Sequence, residues 1–292
     1  MSGVSTSSTR VEPVETRVST SSTGGGSTGG GTGRALATGL GRALGTALLM
    51  LTILTVVWVV SVALVDNTFV AKGPAEVYEF LFADDDAAQT RAQILTGLGV
   101  TLGDAAIGFV AGMLAATVAA ALIVLSKPVE TAVMPVALIL RAVPLIALTP
   151  IIRLLFSDEL VRVAVVSGIV VLFPALVNVV QGLRSVSAQM SDVVHVYGGG
   201  PLALLIRVAF PSALPALFAS VRISVPGAIT GALLAEWLIT GRGIGSMVVN
   251  AVGQSENNLV WACVLVVTLA SLALYLVAQI VESFVLARYG RR

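Results

Sequence analysis

The sequence predicts an all-α, polytopic membrane protein with about six transmembrane helices, and three observations carry that prediction. Hydrophobic residues make up 56% of the 292 residues and charged residues only 11%, whereas a soluble domain carries about a quarter charged residues to cover its surface. Mean hydropathy is +0.96. The apolar residues gather in runs long enough to cross a bilayer, which takes roughly 20 residues at 1.5 Å each through a core about 30 Å thick. A net charge of +1 and the lack of a dense basic tract give no reason to expect nucleic acid as a partner. The single cysteine, Cys263, excludes an internal disulfide and a cysteine-rich metal site. It lies inside an apolar run and reads as a packing residue.

Residues 1–33 are rich in repeated Ser, Thr and Gly and have little apolar content. Such a segment cannot bury enough surface to offset its ordering entropy, so a disordered tail is expected over 1–42. It is not expected to be a signal peptide, because the next apolar run is too long and no small-residue cleavage site follows. A membrane domain is expected over 43–290, with spans at 43–65, 95–125, 129–152, 160–182, 213–236 and 258–286. Trp58 and Trp261, in the first and sixth spans, are aromatic-belt candidates. In the second span, GFVAGMLAATVAAA (Gly108 to Ala121) supplies the small residues that let helices approach closely. Pro135, Pro144 and Pro150 predict that the third span is one kinked helix, packed where neighbours satisfy the freed carbonyls.

Basic residues favour the cytoplasmic side. With the N-terminus inside, the outer segments hold Lys72, Arg91, Arg153, Arg162 and Arg242; every other Lys or Arg except the intramembrane Arg141 falls inside. Both termini are therefore expected in the cytoplasm. The acidic stretch with Asp84, Asp85 and Asp86 is expected outside.

Between spans four and five lies a polar, glycine-broken segment, SDVVHVYGGGPLALLIRVAFPSALP (Ser191 to Pro215). Ser191 or Asp192 suits the N-cap of a short helix through Tyr197. Gly198 would close that helix in the left-handed conformation. Pro201 suits the first position of a second short helix, with Leu202, Leu205, Ile206 and Ala209 on one face. Pro211 and Pro215 would close the unit and open the next apolar run. Two short helices around a flexible corner suit docking on a partner; a surface-lying amphipathic loop is the plainer reading.

These residues resemble the EAA loop of the inner-membrane permease subunits of bacterial ABC importers. Asp192, Val193 and Val194 fall at the Glu-Ala-Ala positions, Gly198 at the loop glycine, and Pro211 and Pro215 at the later prolines. LRAVPLIALTP (Leu140 to Pro150), TLGDAAIGF (Thr101 to Phe109) and AEWLITGRGIG (Ala235 to Gly245) resemble further family segments in the same order. The likeness covers about 43–290 and is greatest to the branch importing nitrate, sulfonates, taurine and thiamine precursors. The chain departs from the pattern in its two valines, its shortened acid, Gly199 and Gly200 at the corner, Asp104 where the family carries an arginine, and a Ser157-Asp158 turn without glycine.

The resemblance implies the MetI-like type I importer permease fold, in the bacterial plasma membrane, acting as a homodimer above two ABC ATPase subunits. The coupling loop, about 184–212, would act on the ATPase through Asp192, Val193, Val194, Gly198, Gly199, Pro201, Leu202, Pro211 and Pro215. An extracytoplasmic solute-binding protein would land on 66–94 and 237–257. ATP would be bound and hydrolysed on the partner, since no G-x-x-x-x-G-K-[ST] loop is present here. No cofactor, metal or catalytic residue is expected on this chain.

Each intramembrane charge needs a partner or water. Arg141 beside Pro144 suits either a translocation path or a structural bond to freed carbonyls. Asp104 would pair with Arg141 or reach the outer interface. Glu236 is expected at the outer mouth as a pathway residue, a gate, or an ordinary interfacial carboxylate. Glu282 is expected near the inner face. His195, the lone histidine, makes no metal site. An ion-coupled secondary transporter is the alternative function, although Asp104 is the only carboxylate expected deep in a span. An intramembrane enzyme would need a nucleophile and base together, and Cys263 and His195 sit on different kinds of segment.

Overall fold

The computed structural model describes residues 31–65 and 69–289, with side chains for 45, 48–65 and 69–287. Residues 1–30 of the expected tail lie outside the described residues. Helix α1 runs Gly31–Val65, so its backbone starts inside the stretch expected as tail. It is followed by α2 (Pro74–Phe82), α3 (Ala87–Leu125), α4 (Lys127–Ala142), α5 (Leu145–Leu155), α6 (Glu159–Leu183), α7 (Ala188–Val196) and α8 (Pro201–Leu204). A π-turn over Leu205–Ala209 leads into α9 (Phe210–Ala235), a second π-turn covers Glu236–Thr240, and α10 (Gly243–Gly253) and α11 (Asn257–Tyr289) complete the chain. Among the described residues there is no strand.

Five helices are long and apolar enough to span, and α4 with α5 forms a sixth, broken span bent by 110°. The six expected spans are thus present, with one correction. The third is not a kinked helix but two helices, because Val143 is extended (φ −77, ψ 127) and Pro144 follows with ψ 122. Proline disfavours the α conformation in the residue before it, which ends α4 there. Pro135 and Pro150, by contrast, lie within α4 and α5.

Helices α3, α6 and α9 form the core, and small residues let them touch. A Cβ on Gly108 would overlap that of Ser167, one on Gly112 would lie 2.7 Å from the Gly168 carbonyl oxygen, and one on Gly231 would lie 2.7 Å from the Ser167 Cα. Val166, Val171, Leu176 and Val179 fill the remaining space and are fully buried. The stripe read from Gly108 onward therefore serves packing. Cys263 is likewise fully buried.

Chain alternation gives the bundle two ends. The near end carries α7, α8 and the α3–α4 connection. The far end carries α2, α10 and the 69–73 segment, which Trp58 and Trp261 hold: their indole N–H groups donate to the Lys72 and Val70 carbonyls at 3.0 and 2.9 Å. The two rings stack with centroids 5.8 Å apart.

Candidate functional site

At the near end the root of the loop is fixed first. Arg184, the C-cap of α6, pairs with Glu130 of α4 at 2.8 Å. Helix α7 then projects with none of its residues buried. Its N-cap is Ser187, whose hydroxyl accepts from the Met190 N–H at 3.4 Å. Neither Ser191 nor Asp192 caps it, as the sequence reading expected: the helix begins at Ala188, one turn earlier. At the other end, the Gly198 N–H donates to the His195 carbonyl at 2.9 Å and the Gly199 N–H to the Val194 carbonyl at 2.8 Å. That paired pattern, with Gly198 at φ +77, is the Schellman closure that only glycine adopts without strain. Gly199 also packs against the Val194 side chain, where a Cβ would lie 2.5 Å from Cγ1. His195 bonds within its own helix, its Nδ1 lying 2.7 Å from the Ser191 carbonyl oxygen.

Pro201 does open a helix, with extended Gly200 before it. That helix is not a second short unit, however. Pro201–Thr240 is one apolar rod of 40 residues, and Pro211 and Pro215 lie inside it rather than closing a loop. Pro211 lies inside that continuous helix, directly after the π-turn. Of the expected docking residues, Asp192, Val193, Gly198, Pro201 and Leu202 are exposed at this end and Val194 and Gly199 are half-buried. Met190, Val193 and Tyr197, at i, i+3 and i+7, put an uncovered apolar stripe on α7, with Val193 56% and Tyr197 88% exposed.

The far end holds a knot that sequence reasoning missed. Glu236 was expected at an open mouth; it is fully buried. Its Oε2 accepts from the Gly245 N–H at 2.7 Å, while the Ile244 N–H donates to Thr101 Oγ1 at 3.0 Å. Two of the otherwise unpaired first-turn N–H groups of α10 are thus satisfied by side chains of two other helices. Gly243 has φ +77, and a Cβ there would run into the Glu236 carboxyl group. The signal was Glu236 nine residues before Gly245, in a stretch with three glycines, and it required the distant Thr101 to be interpretable.

Asp104 does not pair with Arg141. It is buried with Oδ2 unpartnered, one turn beyond Thr101, within electrostatic range of Arg242, Glu159 and Glu236. Arg141 instead sits over the Phe173 ring at 4.6 Å and rims an open cleft of about 480 Å³ with Val143, Ile169 and Asn178. Pro144 lies at the neighbouring helix break. Glu282 pairs with Arg222 of α9 at 3.1 Å. Among the described residues no group of three or more His, Cys, Asp or Glu is placed to hold a metal.

A multi-pass helical membrane protein with a projecting, closed-off helix between two of its spans is the class these features define. Residues 91–289 match the profile of the binding-protein-dependent transport system inner membrane component, and the chain belongs to that family. It is 28% identical to a probable ABC transporter permease protein of Haemophilus influenzae over 78% of this chain and 91% of that one. It is 26% identical to the formylaminopyrimidine transport permease protein ThiX of Halalkalibacterium halodurans over 82% of this chain and 93% of that one. It is 28% identical to the putative aliphatic sulfonates transport permease protein SsuC of Bacillus subtilis over 64% of this chain and 66% of that one. The chain is an ABC importer inner-membrane permease.

Proposed function

We propose that this chain is the permease subunit of an ATP-driven importer of a small solute of the nitrate, sulfonate, taurine or thiamine-precursor type. Two copies form the pathway, two ABC ATPases dock below them, and a solute-binding protein delivers from outside. The observation that carries the reading is α7. It stands off the bundle with an uncovered apolar stripe and both ends tied by local hydrogen bonds. A nine-residue helix is too short to persist without such ties or a partner. A rigid helix transmits the displacement when the ATPases close, whereas a loop would absorb it.

Asp192, Val193, Val194, Gly198, Gly199, Pro201 and Leu202 form the coupling contact in this reading, and Pro211 and Pro215 act by shaping the helix that leaves it. The near end and both termini face the cytoplasm in this reading, which rests on the excess of Lys and Arg that the terminal segments add to Lys127, Arg184 and Arg207, against five such residues on the opposite side. Arg141 and Pro144 line the pathway, the open cleft at Arg141 supporting that assignment; Glu236 shapes its far end from a buried position. The test is uptake in proteoliposomes containing this chain, its ATPase and its binding protein. Uptake of one of these solutes should require ATP. Uptake driven by an ion gradient without ATP would instead favour a secondary transporter.

A further inference from the structure

The Pro201–Thr240 rod starts at the glycine corner beside α7 and finishes in the buried Glu236 knot. At 1.5 Å per residue it is about 60 Å long, twice the thickness of the bilayer core. A π-turn lies at each end, Leu205–Ala209 and Glu236–Thr240. Such turns insert an extra residue into a helix and redirect the side chains that follow. At the far end this turn carries the Glu236 carboxylate to the first-turn amides of α10 rather than into lipid. Two backbone contacts reinforce the joint: the Gly241 N–H closes on the Glu236 carbonyl at 2.9 Å, and Gly245 lies so close to the Leu233 carbonyl that no side chain fits between them. Thr101 ties the adjacent amide to α3. Ile244 of α10 and Val77 and Leu81 of α2 belong to one buried apolar cluster, joined through Ile94 of α3 and Ala262 and Cys263 of α11, so the far-end surface is one connected platform.

We propose that Glu236 is a positioning residue, a latch that makes the α10–α2 platform move as one piece with the rod whose other end begins at the α7 corner. Displacement at the near end is thereby read at the face where a binding protein lands, and binding there is read at the ATPase. The carboxylate acts as a hydrogen-bond acceptor for α10. Its charge is not the working feature, because an amide oxygen at the same place accepts the same N–H. This proposal rests on the import reading.

The experiment uses the complete permease–ATPase complex with liganded binding protein. In E236A, basal ATP hydrolysis should persist while stimulation by the binding protein is lost, and E236Q should retain stimulation. T101V, which keeps the side-chain shape and removes the acceptor for Ile244, should lower stimulation in the same direction. Hydrogen exchange on the solubilised permease supplies the second readout. The Gly245 amide should exchange about tenfold faster or more in E236A and stay protected in E236Q. Stimulation in E236A equal to that of the wild type, or E236Q failing like E236A, overturns the latch. Proportional loss of basal and stimulated hydrolysis in both E236A and T101V makes Glu236 merely structural and also overturns it. No stimulation in the wild-type complex overturns the import reading itself.

Discussion

Ser167 of α6 sits directly against Gly108 of α3, so closely that a methyl group at 108 would overlap the serine Cβ. Gly231 of α9 closes on the same serine from the other side. Three helices therefore meet at one side chain, and its hydroxyl is buried without a hydrogen-bond partner. Gly108→Ala should cost about 1–3 kcal/mol, because the backbones must separate. Ser167→Ala should be near neutral, because it removes an unpartnered hydroxyl and little volume. Thermal unfolding midpoints in detergent distinguish the two variants.

The two indoles at the far end give a separate expectation. Trp261→Phe keeps the ring packed near Trp58 but removes the donor to the Val70 carbonyl. About 1 kcal/mol of local stability should be lost. Limited proteolysis should then cut sooner at 69–73, while cleavage elsewhere stays unchanged.

Arg222 and Glu282 join α9 to α11 across 3.1 Å, and the glutamate side chain is only 13% exposed. Arg222→Glu leaves like charges facing each other and should destabilise by about 1–3 kcal/mol. The exchanged pair Arg222→Glu with Glu282→Arg should recover most of it. Unfolding midpoints of the four proteins form the double-mutant cycle.

Gly198→Val places a branched residue at φ +77, which costs about 1–2 kcal/mol. The Schellman closure should open and α7 should lose its fixed direction. Uptake and substrate-stimulated ATP hydrolysis should fall together while the amount of protein in the membrane is unchanged.

The spans were legible because crossing lipid imposes a length and an apolar composition that few other constraints imitate. Gly198 and Pro201 were legible for a similar reason: each solves a backbone problem that other residues solve badly. The N-cap of α7 was not. Ser187, Ser191 and Asp192 all qualify chemically, and only the hydrogen bond from Met190 chooses Ser187. Pro211 and Pro215 were misread as terminators, because a proline following a π-turn and a proline inside a packed membrane helix both leave carbonyls that neighbours can satisfy. Pro144 was legible as a kink, but the full helix break there and its 110° bend depend on tertiary contacts. Glu236 was hardest, since its meaning lies in Thr101, more than a hundred residues away in sequence, and in the amides of a helix that begins after it.

The central claim is that α7 carries force between this chain and an ATPase. Its most direct measurement is cysteine cross-linking from Val196, 84% exposed, and from Leu202, 58% exposed. This chain would be co-expressed in membranes with its ATPase, with the buried Cys263 changed to Ala. Both positions should form a covalent permease–ATPase product whose yield changes when ATP is bound. Absence of any product from both positions, with both proteins present in the same membrane, would contradict the account.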